Sequence, residues 1–216
     1  AVAALRPSGG LPAVTGGGRA AGEGAMAHPL LLQSAAVCRE ALFDPAPVDR
    51  HLPALRRYMA WALTYFRSSG TPTWAWKRSD ESFFPGAAHP LASVDLTALL
   101  LCELEALSDL ERAAGEPSDT FSAERQRLAE VLLTECWIPE RSIFAGVKAD
   151  GRAAEEPAGL ACLPLRWRGL PRELSVPAAR EVFRRAAADG AGTAGASPAL
   201  LALLRMEAAD AGAAAE

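Results

Sequence analysis

The 216-residue sequence is poor in the residues that usually build metal sites, with four cysteines and three histidines, neither type clustered. Structural zinc sites take cysteines in close pairs, and no such pair is present. We therefore predict no metal site, assign no cofactor, and expect buried free thiols and structural or surface histidines. The cysteines are Cys38, Cys102, Cys136 and Cys162, and the histidines are His28, His51 and His89.

The sequence also lacks an excess of positive charge and a long apolar run. It has 22 Lys and Arg against 26 Asp and Glu, a formal net charge of −4, and the two signs are mixed along the chain. A phosphate-binding surface needs a basic patch, so we expect no nucleic-acid partner. No apolar run approaches the roughly 20 residues of a membrane span, and the start shows no leader pattern. We expect a soluble protein without a membrane partner, and we favour the cytoplasm.

The composition predicts a single globular body. Half of the residues are hydrophobic, which is enough for one buried core in a chain of this length. Residues 1–27 are rich in Gly, Ala and Pro, whereas residues 28–211 are dominated by helical patterns. The sequence starts at Ala1 without an initiator methionine. We predict one partial domain over residues 1–216, with an irregular entry segment and a helical body, and we favour an origin in a longer protein.

Apolar residues recur with a period near 3.6 in the first half of the body, which predicts amphipathic helices. One helix begins at Pro29, and a second extends from a cap at Asp49 to a stop at Gly70. A third ends at Gly115 and Pro117. The apolar stripe of the second helix is Leu52, Leu55, Met59, Ala62, Leu63 and Phe66, and that of the third is Leu96, Leu99, Leu100, Leu104, Leu107 and Leu110.

The second half of the sequence predicts three more helices and a hairpin. One helix begins near Ser122 and is broken at Pro139, and two others cover residues 176–188 and 197–211. The pair Asp150-Gly151, which follows an apolar Ile-Phe pair, is a short-range signal for a tight β-hairpin turn. The predicted fold class is therefore all-α, with helices in antiparallel pairs and a small β-hairpin.

A loop of unusual composition separates the second and third helices. It reads TWAWKRSDESFFPG over residues 73–86 and places aromatic rings on both sides of Asp80. Aromatic side chains can raise the pKa of a neighbouring carboxyl, and their flat faces can stack on a sugar. Because Trp74 and Trp76 alternate, an extended chain would direct one towards a cleft and the other towards the body.

The order of these segments resembles the helical-barrel catalytic domain of trehalase-like glycoside hydrolases, in particular family 63 and its mannosylglycerate-hydrolase-like relatives. The resemblance spans about residues 28–170. It rests on HPLLLQSA, MAWALTYFR, the SDES loop, VDLTALLLCELEALSDLERAAGE and RLAEVLLTECWIPERSIFAGVKADG. It implies a partial (α/α)6 toroid, about half of a double ring of helices, that acts on an oligosaccharide or a small glycoside.

The resemblance also implies roles for individual residues. Asp80 stands at the position of the general acid of an inverting α-glycosidase, whose protonated carboxyl must lie near the leaving oxygen. Trp74 and Trp76 are candidate stacking surfaces for substrate, and His28 and Asp95 are candidate substrate contacts.

Some positions depart from the family pattern. Lys77 and Arg78 replace a Ser-Gly pair, and cations beside Asp80 would lower the pKa of an acid that must stay protonated. His28 replaces a Gln, and Thr97 replaces an Asn. The general base stays unassigned, because no Glu follows in an aromatic and Gly-rich segment. We predict that the chain alone is weakly active or inactive.

Simpler interpretations stand beside these roles. Asp80 would be a loop acid that caps backbone or pairs with Arg78, either tryptophan would belong to the core, and Asp95 would interact with the dipole of its own helix. A non-catalytic interaction or carbohydrate-binding module would carry an exposed apolar patch on its helix faces. A different helical-barrel sugar enzyme would place a His in its cleft. An incomplete barrel would expose apolar surface, so self-association is also expected.

Overall fold

The computed structural model describes residues 29–77, 91–154 and 161–188, and this part of the chain is mostly helical. A π-helical segment (Val131–Glu135) continues the fifth helix, and 3₁₀ turns cover Pro139–Arg141 and Leu163–Arg166. No helix within the described ranges is long and apolar enough to cross a membrane. The elements are α1 (Leu31–Ala41), α2 (Ala46–Asp49), α3 (Leu52–Tyr65), α4 (Val94–Ala113), α5 (Ser122–Glu130), β1 (Trp137–Ile138), β2 (Ile143–Phe144) and α6 (Arg172–Ala188).

Helix α4 forms the centre of the fold. It packs against α1, α3, α5 and the 3₁₀ turn at Leu163–Arg166. Every residue from Ala92 to Leu104 is buried, so the helix is covered on all sides in this stretch rather than along its leucine stripe alone. The buried set therefore includes the polar residues Asp95, Thr97 and Glu103.

The C-terminal end of α4 follows from its sequence. Gly115 has a positive φ of 74°, a conformation that glycine adopts without steric cost. The N–H of Gly115 donates to the carbonyl of Arg112, and the N–H of Glu116 donates to the carbonyl of Glu111. These two bonds form a Schellman motif, which satisfies carbonyls that a helix end otherwise leaves unpaired. The predicted helix end at Gly115 is confirmed.

The start of α3 differs from the prediction. Asp49 does not cap it, because Asp49 belongs to α2 and its carboxylate accepts a hydrogen bond of 2.7 Å from the Nε of Arg39 on α1. The residue before α3 is His51, and it makes no side-chain cap. The helix also ends at Tyr65, five residues before Gly70. Asp49, which the local pattern predicted to cap α3, therefore forms an ion pair between α2 and α1 instead.

The hairpin region contains two separate features. The predicted turn is present, since Gly151 has a φ of 79° and Val147 pairs with Ala153 across it. The two-stranded antiparallel sheet lies upstream, however, with β1 and β2 joined by the turn Pro139–Arg141. The helix therefore ends at Glu135, before the predicted break at Pro139, and Pro139 instead begins the turn between the strands.

Other sequence predictions meet mixed outcomes. The fifth helix, with its π-helical continuation, and the sixth are present, although α6 begins at Arg172 rather than near residue 176. Three of the four cysteines are buried, but Cys38 is exposed on α1, which corrects the expectation of buried thiols. The predicted entry segment 1–27 and the predicted helix 197–211 lie outside the described residues. All-α architecture with a small two-stranded sheet is confirmed.

Candidate functional site

Three segments meet at the N-terminal end of α4, where the resemblance places the sugar site. The N–H of Ser93 donates to the carbonyl of Trp74 at 2.9 Å. On the other side, Ala92 and Val147 exchange two backbone hydrogen bonds of 3.1 and 2.9 Å. Ser93 also accepts a hydrogen bond of 3.3 Å from the N–H of Trp76 through its hydroxyl. The backbone entering α4 is thus held between the tryptophan segment and the segment after β2.

The carboxylate of Asp95 joins this end of α4 to Trp76. The indole Nε1–H of Trp76 donates to Oδ2 of Asp95 at 2.8 Å, and both side chains are buried. Burial is the main influence on Asp95 and raises the pKa of its carboxyl, while the bonds from Trp76 and from the first-turn backbone oppose that rise. Asp95 lies in the first turn of α4, where a negative charge is stabilised by the helix dipole. The pair fixes the orientation of the Trp76 ring.

Trp74 contacts a different part of the body from Trp76. Its ring is 1% exposed, and its Nε1–H donates to the carbonyl of Leu63 on α3 at 2.9 Å. Trp76 is 6% exposed and packs edge-on against Phe66. Both indoles therefore lie within the core of the described structure, and their predicted role as stacking surfaces for a sugar stays a prediction.

The aromatic loop begins and ends next to these contacts. At its start, the ammonium of Lys77 donates to the carbonyl of Arg67, just beyond the C-terminal end of α3. At its end, the carbonyl of Leu91 accepts hydrogen bonds of 3.0 Å from the hydroxyls of Ser68 and Thr73. The chain on either side of residues 78–90 is therefore fixed to the same region of the body.

Two of the predicted site residues lie outside the described residues. These are His28, which precedes α1, and Asp80, the candidate general acid within the loop. Arg78, which was expected to influence Asp80, also lies outside them. Of the predicted site, the structure brings Trp76 and Asp95 into contact and places Trp74 in the segment that pairs with Ser93.

An open cleft of about 320 Å³ lies beside the end of the loop. Thr71, Pro72, Thr73 and Leu91 line one wall, and the end of α5 with the π-helical segment lines the other. Neither Trp74 nor Trp76 is among the described residues that line it. This cleft is therefore not the one towards which an extended chain would direct one of the tryptophans.

Sequence reasoning missed two buried acids on α4, Glu103 and Glu111. Glu103 is completely buried, and its carboxylate accepts hydrogen bonds from the first turn of α1. Glu111 is 2% exposed and pairs with the Nε of Arg56 on α3 at 2.7 Å. A signal for Glu103 was available, because it occupies the position on the apolar stripe between Leu100 and Leu107. A charge on a core-facing stripe requires a buried partner.

The comparisons with known proteins found likeness in structure alone. No family model matches the sequence, and no curated protein matches it. A crystal structure of an uncharacterized conserved protein from Thermus thermophilus superposes with a TM-score of 0.68 at 14% identity, covering 83% of this chain and 60% of that one. Two crystal structures of a GH63 mannosylglycerate hydrolase from the same organism also superpose with TM-scores of 0.68. One, in complex with glucose, shares 14% identity and covers 85% of this chain and 61% of that one.

The other structure of that hydrolase, in complex with Tris and D-glycerate, shares 13% identity and covers 87% of this chain and 63% of that one. The chain has a glycoside hydrolase-like fold. It spans about three fifths of the length of these structural neighbours. A helical fold of this kind was predicted, and at such identities the likeness extends to the fold alone.

Proposed function

We propose that this chain is a carbohydrate-active, glycoside hydrolase-like domain of the inverting α-glycosidase type. Its ligand is an oligosaccharide or a small glycoside, and alone it is weakly active or inactive. The fold supports the class of protein, since one structural neighbour is a GH63 mannosylglycerate hydrolase. The proposed acid is Asp80, with Trp74, Trp76, His28 and Asp95 as substrate-binding residues.

The observation that carries this proposal is the attachment of the chain on both sides of residues 78–90: one side is bonded to the N-terminal end of α4, and the other to the segment that follows α3. Trp76 is held by Asp95 and Ser93, and Leu91 is held by Ser68 and Thr73. Asp80 follows Lys77 by three residues, and three residues of extended chain span at most about 11 Å. This attachment supports the proposal that the loop acid acts near the entry of α4.

The general base is not assigned to any carboxylate of the described structure. Glu103 and Glu111 are engaged with α1 and Arg56, and Glu181 on α6 is paired with Arg184 and Arg185. The hydrogen bond from Arg184 is the largest influence that lowers the pKa of Glu181 to about 2. Inversion needs a second carboxylate that activates water across the sugar, so we propose that efficient hydrolysis requires residues supplied by a longer protein.

The experiment is a titration of the purified chain with glucose and with D-glycerate, followed by NMR, alongside a hydrolysis assay on α-glucosides and α-mannosides. We expect shifts of resonances from the N-terminal end of α4 and its neighbours, with little or no turnover. Asp80→Asn should abolish any residual turnover while the fold and binding persist. Asp119→Asn is the matched control, because Asp119 is an exposed aspartate beyond the C-terminal end of α4. It should change neither ligand binding nor turnover.

The outcomes separate the two parts of the proposal. Binding of neither compound, together with no turnover of any glycoside, would contradict the carbohydrate role. Turnover that survives Asp80→Asn unchanged would reject Asp80 as the acid while keeping the carbohydrate role. Efficient turnover by the chain alone would contradict the proposal that hydrolysis requires residues supplied by a longer protein.

A second candidate function is a non-catalytic interaction module, and one observation favours it. The large hydrophobic side chains that are exposed in the described structure all lie at the C-terminal end of α1: Val37 is 66%, Leu42 is 46% and Phe43 is fully exposed. This is a helix-end surface of the kind that such a module would use to contact another protein.

A further inference from the structure

The first turn of α1 is capped by a residue from another helix. The N–H groups of the first turn of a helix have no partner within the helix, and a neighbouring Ser, Thr, Asp or Asn commonly accepts one of them. The residue before α1 is Leu30, and no side-chain cap is present. Glu103, 71 residues beyond Leu32, takes that role from the middle of α4.

The carboxylate of Glu103 accepts hydrogen bonds from the first turn of α1 through both of its oxygens. Its Oε2 accepts from the N–H of Leu32 at 2.9 Å, and its Oε1 accepts from the N–H of Gln33 at 3.0 Å. The side-chain amide of Gln33 donates to the same Oε1 at 3.2 Å. The side chain of Glu103 is 0% exposed, so water cannot replace any of these donors while α1 is in place.

Few ionisable groups face Glu103. Tyr58 on α3 is buried beside it and bonds with the backbone of Leu31. From the 3₁₀ turn, Arg166 donates to the Oε1 of Gln33 at 3.0 Å and interacts electrostatically with Cys102, the buried thiol that neighbours Glu103 on α4. Among the described residues, no cation forms an ion pair with the Glu103 carboxylate. A negative charge there is held by N–H groups alone.

We propose that Glu103 is a pH-dependent cap for α1: the helix is docked firmly when the carboxyl is protonated and loosens as the carboxyl ionises. A neutral carboxyl can still accept the bonds from Leu32 and Gln33, two at its carbonyl oxygen and one at its hydroxyl oxygen. Ionisation places a negative charge on the buried carboxyl, which is unfavourable. Undocking of α1 would expose that charge to water, so ionisation favours the undocked state.

The direction of the effect follows from linkage. Burial is the largest influence and raises the pKa of Glu103 from 4.5 to about 7, although the N–H donors oppose it. With α1 undocked, the carboxyl meets water and its pKa returns towards the ordinary value. The stabilisation of the docked state is therefore complete below the ordinary pKa of glutamate and is lost as pH rises through about 7. The docking equilibrium should change by on the order of 100-fold between these limits.

The test is native-state hydrogen exchange of the amides of Leu32 and Gln33, corrected for intrinsic rates and referenced to the core of α4. We expect the opening equilibrium of α1 to rise on the order of 100-fold from pH 5 to pH 8, while the α4 reference changes less. Glu103→Gln keeps the shape but cannot ionise, so its α1 protection should not depend on pH. Glu40→Gln removes an exposed carboxylate from α1 itself and should behave as wild type.

Two results would overturn the proposal: α1 protection that is independent of pH in the wild type, or the same pH dependence in Glu103→Gln as in the wild type. If Glu103→Gln does not fold, the ¹³C shift of the Glu103 carboxyl in the wild-type chain gives the answer directly. A midpoint near 7 supports the proposal, and one at the ordinary value for glutamate rejects it. These measurements read helix docking and need no sugar ligand.

Discussion

Replacing Trp76 by Phe tests the contact that holds the aromatic loop on α4. The substitution keeps an aromatic ring in the core but removes the Nε1–H that donates to Asp95 at 2.8 Å. Asp95 is 2% exposed, so water does not readily take the place of the lost donor. The bonds from the first turn of α4 to the carboxylate remain.

The magnitude can be worked from these contacts. A hydrogen bond to a charged group contributes about 1.5–3 kcal/mol, and an unsatisfied buried acceptor adds to the loss. Trp61→Phe is the matched control, since Trp61 is half-buried on α3 and its contacts in the described part are with rings such as Tyr65. We expect Trp76→Phe to lower the free energy of unfolding by about 2 kcal/mol more than Trp61→Phe. The corresponding difference in Tm is roughly 4–8 °C.

The assay is urea unfolding at neutral pH, arranged as a double-mutant cycle with Asp95→Asn. Asparagine still accepts from the indole but carries no charge, so removal of the donor should cost only about 1 kcal/mol in that background. The coupling energy between the two positions should then be about 1 kcal/mol. If the two substitutions add to within about 0.3 kcal/mol, or if Trp76→Phe costs no more than Trp61→Phe, the reasoning is wrong.

Two further predictions concern the helices. Arg56→Met should lower the free energy of unfolding by about 2 kcal/mol, because it leaves the buried carboxylate of Glu111 without its partner at 2.7 Å. The loss should be smaller than for a fully buried ion pair, since Arg56 is partly exposed. The neighbouring exposed Arg57→Met is the control for the same urea experiment, and equal losses would refute the argument. Phe43→Ser should abolish concentration-dependent self-association in sedimentation velocity, whereas Ala41→Ser should not. A wild-type chain that is monomeric at every concentration would contradict that prediction.

The helices themselves were predictable because their signals are local. The leucine period identified α4, and Gly115 marked its end, where the positive φ and the two Schellman bonds are made within a few residues of chain. The Asp150-Gly151 turn was predictable for the same reason. The position of the strand pair was not, because the helix ends at Glu135 rather than at Pro139, and only the pairing of β1 with β2 shows that Pro139 lies in the turn between two strands.

The candidate site was predictable only in part. The sequence, through its aromatic loop and its family resemblance, singled out Trp74, Trp76 and Asp95 as candidates. It did not show that Trp76 donates to Asp95 or that Trp74 donates to Leu63, because these contacts join residues 19 and 11 positions apart. The burial of both rings depends on how α3 and α4 pack, which no local spacing records.

By itself, the sequence determined the helical class of the protein, the composition of the aromatic loop and the presence of acids on α4. Tertiary structure alone decided the partners of those acids: Glu103 caps α1, Glu111 pairs with Arg56, and Asp95 holds Trp76. The physical reason is the separation along the sequence of the residues that interact. Helix periodicity and turn geometry arise from neighbours along the chain, whereas a buried charge needs donors that arrive only when distant helices pack together.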